Sequence, residues 1–176
     1  MPPWIAEFRA RYADWWPAAR PLLAAHEYAA AFKTYPWPSF PDTPWTPLTR
    51  PLSACRVAVV TTAGLYRPGL DAPFDTEALE GDPSMRALPV GTPRQHLAIA
   101  HPHFNHEVAE ADINTIYPIE RLETLRAASV IGALAPTHYS LMGFTTRAAD
   151  LAEGTGPAIA ESMRHEGVDV ALVIPV

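Results

Sequence analysis

Cysteine is nearly missing from this chain. Cys55 is the single example among 176 residues, which excludes an internal disulfide and any metal centre built on paired cysteines. Lysine is as scarce, with Lys33 alone. Thirteen basic residues stand against 19 acidic ones, a net charge of −6, and no Lys/Arg cluster occurs. Neither nucleic acid nor an anionic membrane is therefore expected as a partner. No apolar run approaches the ~20 residues that a membrane-crossing helix needs. The opening MPPWIAEFRARYADWW also lacks the charged-then-apolar pattern of a secretion signal. A cytoplasmic protein is the expectation. Apolar residues make up 48%, enough for the core of one domain carrying an appendage.

Proline, by contrast, is plentiful and unevenly spread. Trp4, Ile5, Phe8, Tyr12 and Trp15 recur at helical spacing. Pro17 and Pro21 are expected to break that helix, with a second short one over Leu22 to Phe32. So wide an aromatic stripe is expected to dock on the main domain or on a second subunit. Between Pro36 and Pro51 stand six prolines, at 36, 38, 41, 44, 47 and 51. They rule out helix and central strand. The segment reads as an extended strap anchored by Trp37, Phe40 and Trp45; a proline-rich ligand for another protein is the alternative. Residues 1–51 are thus read as a helical extension with a strap, and 52–176 as an α/β domain.

That domain begins with RVAVVTT, Arg56 to Thr62, a continuous apolar, β-branched run of the kind found in buried parallel strands. It ends in Thr61, Thr62, Ala63 and Gly64. Ligands of open α/β sheets bind at this carboxyl edge, so Thr61, Thr62 and Gly64 are candidate site residues, the two threonines for substrate binding, a plain tight turn being the other reading. Cys55 lies at the opposite edge. Leu97 to Ala100 is the next strand, Tyr117 to Ala128 a helix, and Val130 to Ala135 a strand. Thr137, His138, Tyr139 and Ser140 then follow the end of that strand at the same presumed ligand edge, an ordinary polar loop being the other reading. A last helix over Leu151 to Glu166, stopped by Gly167, precedes the strand Val168 to Ile174. Alternation of this kind predicts a three-layer, mostly parallel, flavodoxin-like α/β sheet. A strand as apolar as VDVALVIPV expects cover on both faces.

The densest chemistry lies in HPHFNHEVAEADINTIYPIERL, His101 to Leu122. Pro102 biases His101 toward extended backbone, which sets His101 and His103 on one side, and His106 joins them if the chain turns at Asn105. Asp112 and Asn114 follow just before a helix that opens at Pro118, with Glu120 at its positive end. A polar substrate site is the principal reading, with His106, Asp112, Asn114, Tyr139 and Ser140 as binding residues. His101, His103 and His138 are candidate proton donors, because imidazole titrates near neutrality. A metal site on His101, His103 and His106, serving a hydrolase, is the alternative, though no second ligand set of the usual spacing is present. A loop with structural hydrogen bonds only is the third reading.

The blocks VAVVTTAGLY, GDPSMRALP, HPHFNHEVAEADINTIYPIERL, VIGALAPTHYSLMGF and GVDVALVIPV, in this order, resemble the glycine/sarcosine/betaine/D-proline reductase selenoprotein B family. The likeness covers roughly residues 45–176 and is nearest to the short, D-proline reductase-like kind. It implies reductive cleavage of a C–N bond in an amino acid or amine, with a dithiol as electron donor. In the family a selenocysteine or cysteine motif follows the strand corresponding to Val168–Val176. The resemblance therefore implies a nucleophile beyond Val176 and a chain ended at a selenocysteine codon. It also implies a partner reductase subunit or a homo-oligomer. A pyruvoyl group on that companion would activate amines, unless the amine is already quaternised. No cofactor is expected in this chain itself. A non-catalytic partner subunit is the competing reading.

Overall fold

The computed structural model describes residues 2–40 and 44–176. Its organising element is β1 (Arg56–Thr61), whose Val57 to Thr61 are all buried. On one side β7 (Val170–Ile174) runs parallel to it, in register from Val57↔Val170 to Thr61↔Ile174. On the other side two short strands share the length of β1. These are β5 (Ala133–Leu134) beside its start and β6 (Thr137–Leu141) beside its end, both parallel. Pro136 separates them, since it has no N–H to give to a ladder. β3 (Met85–Pro89) closes the sheet antiparallel to β6. The sheet is therefore mixed but mostly parallel, as expected.

Alternation along β1 splits the core. Val57 and Val59 face one layer, made by α3 (Glu107–Ala111), the 3-10 turn Ile113–Thr115 and α4 (Ile119–Ala127), and meet Ile113, Ile116, Tyr117 and Leu122 there. Ala58 and Val60 face the opposite layer and meet Ile159 and Met163 of α6 (Gly156–His165). Each buried valine contributes about 1.5–3 kcal/mol. The last helix starts earlier than expected, at α5 (Ala148–Asp150), and reaches α6 through a π-helical turn, Leu151–Thr155. There the Gly156 N–H returns to Leu151 O, a wide turn that accommodates Pro157 one residue on. Gly167, at φ +67, ends α6 while the Val168 N–H bonds Met163 O at 2.9 Å.

Three further expectations are corrected. Thr137 to Ser140 are not a loop but most of β6, in the middle of the sheet. Leu97 to Ala100 yields only β4 (Ala98–Ile99), which pairs with β2 (Leu65–Tyr66) in a separate antiparallel ribbon. And β7 lies at the sheet edge with Val173 59% exposed, so its apolar run is not covered on both faces.

The N-terminal segment forms α1 (Pro3–Ala24), unbroken, and α2 (Tyr28–Phe32). Pro17 and Pro21 do not interrupt α1 as expected. Both are exposed, as is Ala13, so the carbonyls they leave without a helical donor belong to the solvent side, where water can serve them. The opposite side holds the helix in place: Ile5, Phe8, Trp15, Ala19 and Leu23 are buried together with Tyr35 and Ala149. Tyr12 donates to Glu80 at 2.7 Å and Tyr35 to Thr146 O at 2.9 Å, fixing the hairpin to the α/β domain. The aromatic stripe thus docks on its own chain. Pro17→Ala is expected to raise unfolding free energy by about 1–3 kcal/mol, read from urea midpoints, because it restores one helical bond and removes a steric conflict.

The strap carries no regular structure over the described residues; Pro41 lies outside them. Its expected anchors are not buried, with Trp45 86% exposed. Tyr35 and Pro36, which are buried, tie it down instead. Cys55 is fully buried with its thiol directed at Pro51 O, 3.4 Å away, at the amino end of β1.

Candidate functional site

The carboxyl ends of β1 and β7 meet beside the histidine loop. Beyond β1, the Thr62 N–H bonds Ile174 O at 3.0 Å, and Thr62 Oγ1 accepts from the Val176 N–H at 2.9 Å. Beyond β6, the Gly143 N–H bonds Thr62 O at 2.8 Å. Gly143 leaves a space at this junction. The point where its β-carbon would sit lies 2.9 Å from Val176 O, 3.0 Å from His101 Nε2 and 3.1 Å from Thr62 Oγ1. Three polar atoms from three separate segments therefore converge on the point where Gly143 lacks a side chain, at the carboxyl edge of the sheet, with Gly143 itself exposed.

His101 is brought there by Gly64. This glycine adopts φ +69 and accepts the Ala100 N–H at 2.9 Å, and its ideal β-carbon position is 2.5 Å from Ala100 O and 3.0 Å from His101 Cβ. Only a residue without a side chain permits that approach. The His101 side chain is 4% exposed. Its Nδ1 accepts the His103 N–H at 3.2 Å, so in the neutral ring the proton sits on Nε2. Nε2 is buried without a hydrogen-bond partner among the described residues. Burial, and then the neighbouring His103, lower the pKa of His101 to about 4. It is thus an uncharged N–H donor at neutral pH and stays so down to about pH 5, where an unperturbed histidine would be an imidazolium.

The other two loop histidines have different work. His106 Nε2 donates to His101 O at 2.7 Å and so closes the turn that presents His101. His103 turns toward the hairpin, its ring 4.0 Å from that of Phe144 and 5.1 Å from that of Tyr28. Burial, then His26, depress its pKa. It borders a cleft of about 500 Å³ that also takes in His26, Tyr28 and Glu77. The three imidazoles do not converge, and among the described residues no group of three or more His, Cys, Asp or Glu side chains could hold a metal ion. The metal alternative on His101, His103 and His106 loses its geometry.

Asp112 and Asn114 are occupied at the start of α4. Asp112 Oδ1 accepts from the Asn114 backbone at 3.0 Å and side chain at 2.8 Å, while Asn114 Oδ1 accepts the Glu120 N–H at 3.2 Å. These bonds hold the Asp112 carboxyl below its usual range, Asn114 being the largest cause. Their partners are those of a helix cap.

Thr61, His138, Tyr139 and Ser140 lie inside the sheet. Thr61 Oγ1 accepts from the Ala63 N–H at 3.2 Å, and Tyr139 donates to Ser162 Oγ at 2.6 Å beneath α6. His138 is wholly buried, and its Nδ1 accepts the Val59 N–H at 3.0 Å, filling a gap in the ladder where Pro136 has offset the strands. Burial lowers its pKa to about 4. His138 Nε2 and Ser140 Oγ are buried without partners among the described residues. Of the residues singled out in the sequence, then, Thr62 and His101 reach the Gly143 space. Gly64, also singled out there, acts through His101, and Gly143 was missed. A glycine directly after a strand, as in LMGF, was the signal that could have found it.

Residues 21–175 match the family described as Glycine/sarcosine/betaine reductase selenoprotein B. The chain belongs to that selenoprotein B family. This member is similar to the D-proline reductase subunit gamma of Acetoanaerobium sticklandii, 35% identical over 136 residues, which is 77% of this chain and 54% of the relative. It is similar also to the glycine reductase complex component B subunit gamma of Symbiobacterium thermophilum, 28% identical over 141 residues, 79% of this chain and 32% of that protein. The corresponding subunit of Carboxydothermus hydrogenoformans is 26% identical over 140 residues, 78% and 32% of the two chains. The chain thus spans about half the length of the first relative and about a third of the other two. No solved structure matches it. No described helix of this selenoprotein B family member is long and apolar enough to cross a membrane.

Proposed function

We propose that this chain forms the pocket wall of a reductase-complex component that cleaves a C–N bond in an amino acid or amine. The nucleophile, a selenocysteine or cysteine, would come from residues beyond Val176. The observation that carries this reading is the unpartnered Nε2–H of His101, buried beside Thr62 Oγ1 and Val176 O around the Gly143 space. A soft, ionised chalcogen would attack carbon, forming a carbon–chalcogen bond as the C–N bond breaks and the amine leaves. One thiol of a dithiol would then attack the chalcogen while the carbon departs with a proton. The second thiol would release the chalcogenolate, the dithiol ending as a disulfide. The residues in hand fit such a group. An N–H donor fixed in one tautomer offers a hydrogen bond to an anion or to the substrate carboxylate, in a site too buried to weaken it. Thr62 fixes the strand tip through the Val176 N–H. Gly143 leaves the room a side chain would fill, and His106 holds the loop. The companion subunit with its pyruvoyl group belongs to this proposal for amines that are not already quaternised.

The test begins with the coding sequence downstream of Val176, where an in-frame codon for selenocysteine or cysteine is expected close to the strand tip. The extended protein, with its companion subunits, is then assayed for dithiol-dependent reduction of proline, glycine and betaine. His101→Phe and Gly143→Ala are each expected to lower turnover at least tenfold while thermal unfolding stays cooperative. An extension without a chalcogen residue, or wild-type turnover in both variants, refutes the proposal.

A further inference from the structure

β7 has the composition of an interior strand and the position of an edge strand. Val170 to Ile174 are all apolar, yet among the described residues β7 pairs with β1 alone. A run without alternation suits a parallel strand that has neighbours on both sides and cover on both faces. The two faces of β7 differ. Val170 and Ile174, in register with Val57 and Thr61, are half-buried and pack with the layer of α3 and α4; Leu172 between them is 37% exposed. Ala171 and Val173, in register with Ala58 and Val60, look to the side of α6. Both are exposed, Val173 at 59%. α6 thus covers Ala58 and Val60 and leaves their neighbours on β7 bare.

The direction of the chain says what belongs there. From β6 it runs through α6, on the face of Ala58 and Val60, and returns as β7 on the far side of β1. Crossovers between parallel strands are right-handed almost without exception. A further step in the same direction, from β7 to its open edge, therefore keeps its helix on the same face. The face that handedness prescribes is the face left bare. Spacing agrees. Helices side by side stand about 8–10 Å apart, or two strand spacings. With α6 over β6 and β1, the next helix falls over β7 and one strand beyond. A second copy paired edge to edge would extend the sheet but bring no helix to Ala171 and Val173.

We infer that the polypeptide following Val176 makes a right-handed crossover. Its helix seats beside α6 on Ala171 and Val173, and its strand runs parallel to β7 on the open edge. The turn into that helix starts where Thr62 Oγ1 holds the Val176 N–H at 2.9 Å, beside Gly143. The D-proline reductase relative has the length for such a unit, since the match takes up 54% of it. The inference rests on the proposed function only in taking the chain past Val176; the face and the hand come from β1, β6, α6 and β7.

The extended protein encoded downstream is compared with the 176-residue chain by amide exchange read by NMR. Amides of β7 that point to its open edge are expected to exchange about a hundredfold more slowly in the extended protein. Val173→Lys is expected to leave the urea midpoint of the 176-residue chain unchanged and to lower that of the extended protein by about 1 M. Val108→Lys, at a residue 62% exposed on α3, is expected to change neither. Should Val173→Lys prevent the extended protein from folding, the exchange rates of the unsubstituted forms decide. Equal exchange in the two forms overturns the crossover, as does equal tolerance of Val173→Lys. Protection of β7 that grows with concentration in the 176-residue chain and not on extension marks a second copy as the occupant and overturns it too. An absent continuation sinks the crossover and the reductase reading together. A protected β7 in an extension without a chalcogen leaves the crossover standing alone, and dithiol-dependent turnover with an unprotected β7 leaves only the reductase reading.

Discussion

Acidification from pH 7 to pH 4 is expected to remove about 3 kcal/mol of folding stability for each of two histidines, His101 and His138. Both are buried and both have their pKa lowered from the ordinary 6.5 to about 4, burial being the main cause. Between those two values the unfolded chain takes up a proton at each site that the folded chain refuses. Unfolding is therefore favoured as pH falls. The contribution of each histidine is complete above about pH 6.5 and gone near pH 4. Against a usual total of 5–15 kcal/mol the combined loss brings the chain close to its unfolding midpoint. Urea titrations at pH 7, 5.5 and 4.5 measure the slope, and His101→Gln or His138→Gln is expected to roughly halve it. A stability that is flat across this window would mean that the two imidazoles are solvated in solution, and the neutral donor assigned to His101 would go with it.

The second large effect concerns a residue that touches no ligand. Gly64→Ala is expected to destabilise the fold by about 3 kcal/mol. Part of this is the left-handed backbone at φ +69, and part is the collision of the new methyl group with the Ala100 carbonyl, 2.5 Å from its ideal position. The Ala100 N–H bond to Gly64 O and the Gly64 N–H bond to Leu141 O both run through this residue. Relieving the collision must push the chain at Ala100 and His101 away from the strand tips. The variant is thus expected to lose ligand binding at the Gly143 space even at temperatures where it remains folded. Gly69→Ala is the control: it has a similar φ of +80 but nothing within 4 Å, so it isolates the backbone cost at about 1 kcal/mol. Equal losses in the two variants would show that the close approach at Gly64 has no energetic weight.

The contrast between His101 and Asp112 shows where reading residues in order succeeds and where it stops. Both lie in one polar stretch, and residue type makes both attractive as site groups. Their partners separate them. His101 is carried to the strand tips by a ribbon, β2 with β4, that pairs residues more than thirty positions apart. Asp112 spends one oxygen on Asn114 in the turn before α4 and sets the other 3.6 Å from Arg121 of that helix. Proline tells a similar story. Pro136 splits a strand as local chemistry demands, whereas Pro17 and Pro21 sit unnoticed in α1 because the tertiary packing of Ile5, Phe8, Trp15 and Leu23 holds the helix together.

Local pattern determined the buried β-branched strand Arg56–Thr61, the aromatic helix before it, the alternation that makes a mostly parallel sheet, and the kinship carried by ordered blocks of residues. These are short-range properties, set by side-chain periodicity and backbone preference, and they survive without knowledge of what packs where. Which polar groups face one another was decided only by the folded chain. Whether a threonine or histidine points into a core or a cleft depends on register and on which segment lies across from it. A shift of one residue along β6 would exchange His138 and Ser140 for Tyr139 beneath α4, and no composition records that choice.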